Sequence, residues 1–530
     1  MNRREVMKAG SAALFANLTV TQGHGEGPPT SNLGDGLKSG RANVERWGIF
    51  EQALMGPATG NPFVDVWLRA RFHKGNRTVV VDGFYDGDRV YRIRFMPEET
   101  GEWTFETESN VAELHARQGA LNCTAAQPGN HGPVSVRDSY HFGYADGTAY
   151  FPFGTTCYAW VHQPEELQQQ TLETLRSGPF NKLRMCIFPK WYQYNHGTPP
   201  RFPFQRERDQ NDYARFNPEF FRHIEKRIGA LRAIDVQADL ILFHPYDHWG
   251  FQEMPAEVDD RYLKYVIARF GAYRNVWWSL ANEFDLMRRK TNADWDRLAN
   301  TLTSSDPHGH LRSIHYSHAP YDYSKVWCTH AGVQDTAFDK AAEWRKEWRK
   351  PVIFDECMYE GNINSRWGNL SGEEMTRRFW LCTVAGVYGG HGETYVSPNE
   401  IEDDNARLWW SHGGKLRGTS PARIAFLRRL LEDIGASGIG VSGGGRIGLE
   451  AVEPTYYLAG KRSENEAMLW YFDFHQPSYY DFPLPEGKSY HATWLDPWAM
   501  TSEPVAGTFT GKVRVRLPGK PYQAILFRQV

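Results

Sequence analysis

A chain of 530 residues exceeds what one hydrophobic core organises, since single domains stop growing at roughly 250–300 residues, so two or three domains are expected. Its 60 basic and 63 acidic residues leave a net charge of −3, and the lack of a basic excess argues against nucleic acid as the main ligand. Aromatic residues are plentiful, with 19 Trp, 26 Tyr and 30 Phe. Their faces stack on the apolar C–H faces of sugar rings as well as on bases, and the balanced charge favours sugar.

The chain opens with Asn2-Arg3-Arg4-Glu5-Val6-Met7-Lys8 and a mildly apolar stretch from Ala9 to Val20. Residues 1–23 resemble a bacterial twin-arginine export signal, which implies a periplasmic or secreted protein. Neither this stretch nor any later one reaches the roughly 20 apolar residues of a membrane span. Residues 24–42, rich in Gly, Pro and Ser, read as a linker. From 43 to 126, short alternating runs (Val64–Ala70, Thr78–Val81, Val90–Phe95, Trp103–Thr107) with Asp-Gly turns predict a small antiparallel β-sandwich.

Between 140 and 435 apolar runs alternate with amphipathic helical stretches, the pattern of βα units around a parallel sheet. Strands are expected at Tyr150–Tyr158, Lys182–Phe188, Ala238–His244, Val276–Ala281, Ser313–Ser317, Val326–His330, Val352–Phe354 and Gly386–Thr394. Eight strands with intervening helices predict an α/β fold of the (β/α)8 TIM-barrel type. An open doubly wound sheet would want a Gly-rich phosphate loop after its first strand, and Gly154-Thr155-Thr156 is not one. Short β-type runs resume from 440 to 530 and predict a second β-sandwich, both sandwiches bracing the barrel. The six cysteines show no metal-type spacing and are expected to be buried free thiols.

TIM-barrel active sites lie at the C-terminal ends of the strands. The fourth run ends in Asn282-Glu283 and the seventh in Asp355-Glu356, which sets carboxylates facing each other across the barrel mouth. Glycoside hydrolysis uses such a pair, one protonating the departing oxygen and one attacking the anomeric carbon or activating water. Asp355 rivals Glu356, because neighbouring strand residues point to opposite faces and only one can face the mouth.

The Asn-Glu at the fourth strand and the Glu at the seventh resemble clan A of the glycoside hydrolases. That resemblance implies Glu283 as acid/base, Glu356 as nucleophile and Asn282 as the contact to the sugar 2-hydroxyl. It also places a His or Tyr near the sixth strand that orients the nucleophile, here His330. Phe151-Pro152-Phe153-Gly154-Thr155-Thr156, Ala281-Asn282-Glu283-Phe284-Asp285 and Trp409-Trp410-Ser411-His412-Gly413-Gly414-Lys415 are similar, more narrowly, to the apiosidase-like barrel family, whose barrel lies between two β-sandwiches.

Further polar groups at strand ends are candidates for sugar contact: His244 and Asp247 after the third strand, Trp191 after the second, Glu393 after the eighth, and Trp409 or Trp410 in the following loop. The expected activity is a retaining, exo-acting glycosidase on a plant or microbial poly- or oligosaccharide, with no cofactor. Oligomeric state and the identity of the sugar are not legible. The alternatives are a non-catalytic sugar-binding barrel and a polysaccharide lyase. A metal-dependent amidohydrolase would need a His-x-His pair after the first strand, where Thr155-Thr156-Cys157-Tyr158 stands.

Overall fold

The computed structural model describes residues 42–401, 403, 406–434, 458–461 and 467–530. The export-type segment, all of the linker but its last residue, and the Gly-rich boundary at 438–445 lie outside the described residues. Eight parallel strands form the central sheet: β1 (Gly154–Thr156), β2 (Lys182–Cys186), β3 (Gln237–Phe243), β4 (Val276–Ala281), β5 (Arg312–Ser313), β6 (Ala331–Gln334), β7 (Val352–Glu356) and β8 (Tyr388–His391). Their order is β5-β4-β3-β2-β1-β8-β7-β6. A parallel bridge between His315 and Gly332 closes the ring.

Strands covered on both sides read as continuous apolar runs, and every residue of β2, β3 and β4 is buried. The outer helices follow their end signals. Asn217 caps Pro218–Arg232, accepting from the Glu219 amide at 3.2 Å, with Pro218 in the first turn. Thr291 and Asp294 form a reciprocal capping box on Asn292–Ser305. The N-terminal end of the barrel is plugged by a small sheet of Val134–Arg137, His141–Tyr144 and Ala149–Tyr150. Its Phe142 ring meets Trp277 at 5.2 Å and Tyr388 at 5.4 Å between centroids.

Three strand expectations require correction. The sixth strand is Ala331–Gln334 and not Val326–His330; Val326 stands 96% exposed in a turn. The true strand carries Ala and Gly, which lack a β-former's signature, because a Cβ on Gly332 would lie 2.5 Å from an Asp355 carboxylate oxygen. The fifth strand is only two residues long, with His315 joined through its single bridge. In the N-terminal region, Pro62–Asp65 forms one helical turn capped by Asn61, and the strand begins at Leu68.

The N-terminal sandwich packs a five-stranded sheet on a three-stranded one around Phe72, Phe95, Trp103 and Phe105. The C-terminal sandwich, a five-stranded sheet with a two-stranded partner, encloses Trp470, Phe482 and Phe527. All six cysteines are buried free thiols. No helix among the described residues is long and apolar enough to cross a membrane.

A charged seam fastens the N-terminal sandwich to the barrel. Arg94 pairs with Glu225 at 2.6 Å and with Glu51 at 2.8 Å; Arg269 pairs with Glu225 at 2.7 Å and with Asp86 at 2.8 Å. Burial pushes the Asp86 and Glu225 carboxyls up, but the surrounding guanidiniums overcome it and hold both below their ordinary range. A depressed carboxylate contributes stability above its unfolded pKa and loses it as pH falls through the folded value. Removing one member of a buried pair strands the other charge, at about 3–5 kcal/mol. Glu225→Ala should therefore lower unfolding stability by about that amount in denaturant titrations at neutral pH. The gap to the native protein should shrink below the ordinary carboxylate range, and a variant as stable as the native protein would show that the seam contributes nothing.

Candidate active site

The interior of the barrel is charged. Lys182 on β2 reaches Asp239 on β3 at 2.6 Å and Asp355 on β7 at 2.9 Å, and Arg184 on β2 reaches Asp355 at 2.8 Å. All four are buried, so each charge is stable there only through its partners. Burial raises Asp355, but Arg184 and Lys182 dominate and hold it strongly ionised. Arg184 also donates to the Asn282 side-chain oxygen at 3.2 Å, tying β2 to the end of β4.

Glu283 and Glu356 stand directly above this layer. Glu283 follows β4 with φ 48° and ψ 53°, a left-handed conformation that is uncommon for a residue with a side chain and clusters at functional sites. It is 7% exposed. Its Oε2 accepts from the Tyr246 hydroxyl and, at 3.1 Å, from the Asn282 amide. Glu356 ends β7, and its Oε1 accepts from the Tyr158 hydroxyl, with the Tyr359 hydroxyl 3.4 Å from that of Tyr158. Burial, then the charge of Glu283, push Glu356 up to about 7, against the opposing pull of Arg184. The ionisation of Glu356 is thus tied to the charge of its partner across the mouth.

Of Asp355 and Glu356 only Glu356 faces the mouth, but Asp355 points inward as well, into the ion network and not toward the helices. The β6–β7 register shifts between Val333 and Gln334, which pair with Phe354 and Glu356 and leave Asp355 as the extra residue of a bulge. A bulge breaks the alternation of faces. Asp355 turns into the ion network, while Glu356 stays at the mouth.

The remaining predicted residues divide. Asn282 holds Glu283, as its position suggests. Trp191 lies at the rim, 38% exposed, with the His196 and His248 rings 4.7 and 4.8 Å away. His244 is not available to a sugar. Its Nδ1 accepts from the Tyr246 amide and its Nε2 donates to the Phe188 carbonyl at 3.1 Å, while burial lowers it to about 3 and keeps it neutral. Asp247 is likewise occupied, accepting from the amides of Trp249, Gly250, Phe251 and Gln252. His330 precedes β6 instead of ending it, and packs on Phe142 and Trp277 at the opposite, plugged end of the barrel. Glu393 is buried beside Glu360 and His391 and accepts from the Arg417 amide. Trp409 is also buried, its Nε1 donating to Thr155 at 2.8 Å.

Sequence reasoning missed three groups that surround the pair, Tyr158, Tyr246 and Arg184. Of the two tryptophans offered, Trp410 packs edge-on to Tyr158 and Tyr192, and its Nε1 is buried without a partner among the described residues. Lys190, which follows the second apolar run as a candidate for the floor or rim of a subsite, lies between Tyr158, Tyr192 and Tyr246 at the mouth. The available signal was position, since Tyr158, Lys190 and Tyr246 each follow an apolar run that ends at this face.

A family model described as the apiosidase-like catalytic domain matches residues 137–435, and two domains of unknown function match 43–110 and 456–528. A solved structure from Bacteroides vulgatus, described as a candidate glycoside hydrolase, is 36% identical with a TM-score of 0.84, covering 92% of this chain and 100% of that one. A glycoside hydrolase family 5 structure from the same organism shares the fold, at 15% identity and a TM-score of 0.56 over 76% of this chain and 94% of its own. No curated protein matches the chain significantly. With the catalytic-domain model spanning more than half of its length, and a glutamate held at the end of β4 and of β7, the chain belongs to the apiosidase-like family of glycoside hydrolases.

Proposed function

We propose that this glycoside hydrolase acts by a retaining double displacement, with Glu356 as nucleophile and Glu283 as acid/base. The observation that carries the reading is the pair itself: two glutamates at the ends of β4 and β7, each held by a tyrosine hydroxyl. Glu356 attacks the anomeric carbon as Glu283 passes its proton to the departing oxygen. Water, deprotonated by Glu283, then releases the sugar from Glu356. Arg184 steadies the attacking carboxylate electrostatically, and Asn282 orients Glu283 while its amide faces the position of a 2-hydroxyl. No resident cofactor enters these steps.

The recessed position of Glu283 and the aromatic wall of Tyr192, Tyr359, Trp367 and Trp410 favour a chain end over the middle of a polymer, which supports exo action. Trp191, at the rim on the Glu283 side, suits the departing part of a plant or microbial oligosaccharide. Export by a twin-arginine route would place the enzyme where such polymers occur.

Glu356→Gln should cut turnover of a responsive aryl glycoside roughly 10³-fold or more while leaving folding intact. Glu283→Gln should be equally severe on poor leaving groups and mildest on the most activated ones, which need little protonation. Near-normal turnover by either variant removes that role. Proton NMR of the first-formed sugar reads the stereochemistry directly, and an inverted product excludes the double displacement.

The pH dependence separates the two roles. In the native enzyme kcat/KM should rise on the acid side near pH 7, where Glu356 ionises and becomes able to attack. Glu283 raises Glu356, so Glu283→Gln must lower the ionisation of Glu356 below 7. With an activated substrate this variant should lose the alkaline limb and show its acid limb at lower pH. An alkaline limb that persists in Glu283→Gln would mean the working proton sits elsewhere.

A further inference from the structure

Lys190 follows β2 and is 3% exposed. Its ammonium lies over the faces of Tyr158 at 4.0 Å, Tyr192 at 4.3 Å and Tyr246 at 4.5 Å, with Trp410 at 5.8 Å. Among the described residues no carboxylate forms an ion pair with it; burial and the charge of Arg184 weaken its hold on the proton, and the carboxylates that oppose them are Glu283 and Glu356. A buried ammonium without a direct counter-ion is costly and calls for a reason.

The cage supplies one. Two of its rings are the tyrosines that hold the catalytic carboxyls, Tyr158 on Glu356 and Tyr246 on Glu283, while Tyr192 is fixed through its hydroxyl to Ser411 at 2.6 Å. A cation on a ring face draws electron density from the phenol. The phenol becomes a stronger donor to an ionised carboxylate, and the cage sets the direction in which each hydroxyl points. One side chain thus touches both halves of the pair without contacting either glutamate.

The charges lie in two layers. In the lower layer Lys182 and Arg184 answer Asp239 and Asp355. In the upper layer the charge of Glu283 works against the ionisation of Glu356, and among the described residues Lys190 is the one cation there that no carboxylate pairs. The other groups facing this layer are the tyrosine hydroxyls of Tyr158, Tyr192, Tyr246 and Tyr359, all pushed up by burial. Cys186, His244 and His315 also face it, and burial keeps all three neutral.

We propose that Lys190 is a positioning residue, whose caged ammonium is the counter-charge that keeps one member of the Glu283–Glu356 pair ionised, acting through Tyr158 and Tyr246. The inference rests on the glycosidase reading of that pair. An anionic sugar is the less suitable partner for Lys190, since it would add negative charge beside two carboxyls that already oppose each other.

The test uses the full chain carrying Lys190→Met, with Lys190→Gln as a second neutral replacement and Lys190→Arg as the charge-keeping one. With the ammonium gone, both limbs of the kcat/KM profile should move to higher pH by about one unit or more, with KM nearly unchanged and the rate at low pH recovered on raising the pH. Lys190→Arg should keep the native limb positions whatever its rate. Infrared titration of the protonated carboxyl band, with Glu356→Gln subtracted as reference, should show the same upward shift with no sugar present. A shifted band in a protein that turns over no glycoside would keep this proposal and overturn the hydrolase reading. Unmoved limbs with a several-fold higher KM would make Lys190 a substrate contact. An unmoved infrared band in a folded neutral variant, or equal shifts in Lys190→Arg, would overturn the proposal outright.

Discussion

Everything at the mouth of this barrel rests on ion pairs inside it. Asp355 is held by Lys182 and Arg184 across the barrel interior. In a medium of low polarizability that attraction is strong enough to fix side chains from different strands against one another. Arg184 then extends the order upward to Asn282, and Asn282 to Glu283. The geometry of Glu283 after β4 is therefore set from β7 through β2. The price is an interior that forgoes part of the usual layers of branched aliphatic residues.

The local irregularities of the chain gather around this network and can be traced to it. Asp355 fits inside only because Gly332 leaves space opposite its carboxylate, and Gly390 because Asp355 and Phe354 present their carbonyls where a Cβ would stand. The bulge at Asp355 lets two successive residues serve the interior and the mouth. The left-handed backbone at Glu283 turns the chain out of β4 while its amide neighbour, Phe284, bonds to the His315 carbonyl at 3.0 Å. Strain of this kind persists where surrounding contacts over-determine it. Here the tyrosines and the ion network do so.

The fold was largely legible because it is written in periodicity. Alternating βα grammar gave the barrel, and the helix ends at Asn217 and Thr291 carry ordinary capping chemistry. What escaped was written in tertiary space. β6 was displaced because its Ala and Gly answer to Asp355 and carry no strand signal of their own. That displacement alone sent His330 to the wrong end of the barrel. His244 and Asp247 sit at the correct strand end, yet their polar atoms are consumed by backbone amides of their own loop and, for His244, by the Phe188 carbonyl beyond β2, which no spacing rule reveals. Glu283 and Glu356 stood out as a pair at the fourth and seventh strand ends of an eight-fold alternation, since a lone carboxylate after an apolar run can be structural, as Asp355 is. Tyr158, Lys190 and Tyr246 follow similar runs, but aromatic residues and lysines are common at such places and carry no comparable signal.

A charged interior also bears on why the barrel lies between two sandwiches. Desolvated ions contribute less to stability than the apolar side chains they replace, so the barrel needs compensation from outside its own ring. The Phe142 plug seals its lower end. The N-terminal sandwich adds Asp86 and Arg94 to the helices that carry Glu225 and Arg269. The C-terminal sandwich adds Asp473 to Arg377 at 2.5 Å and stacks Tyr471 on Trp380 at 5.5 Å. Both sandwiches meet helices on the outside of the barrel, and among the described residues neither contributes a side chain to the hydrogen bonds of the glutamate pair. Their contacts add apolar burial and ion pairing around a charged network that is itself costly to bury.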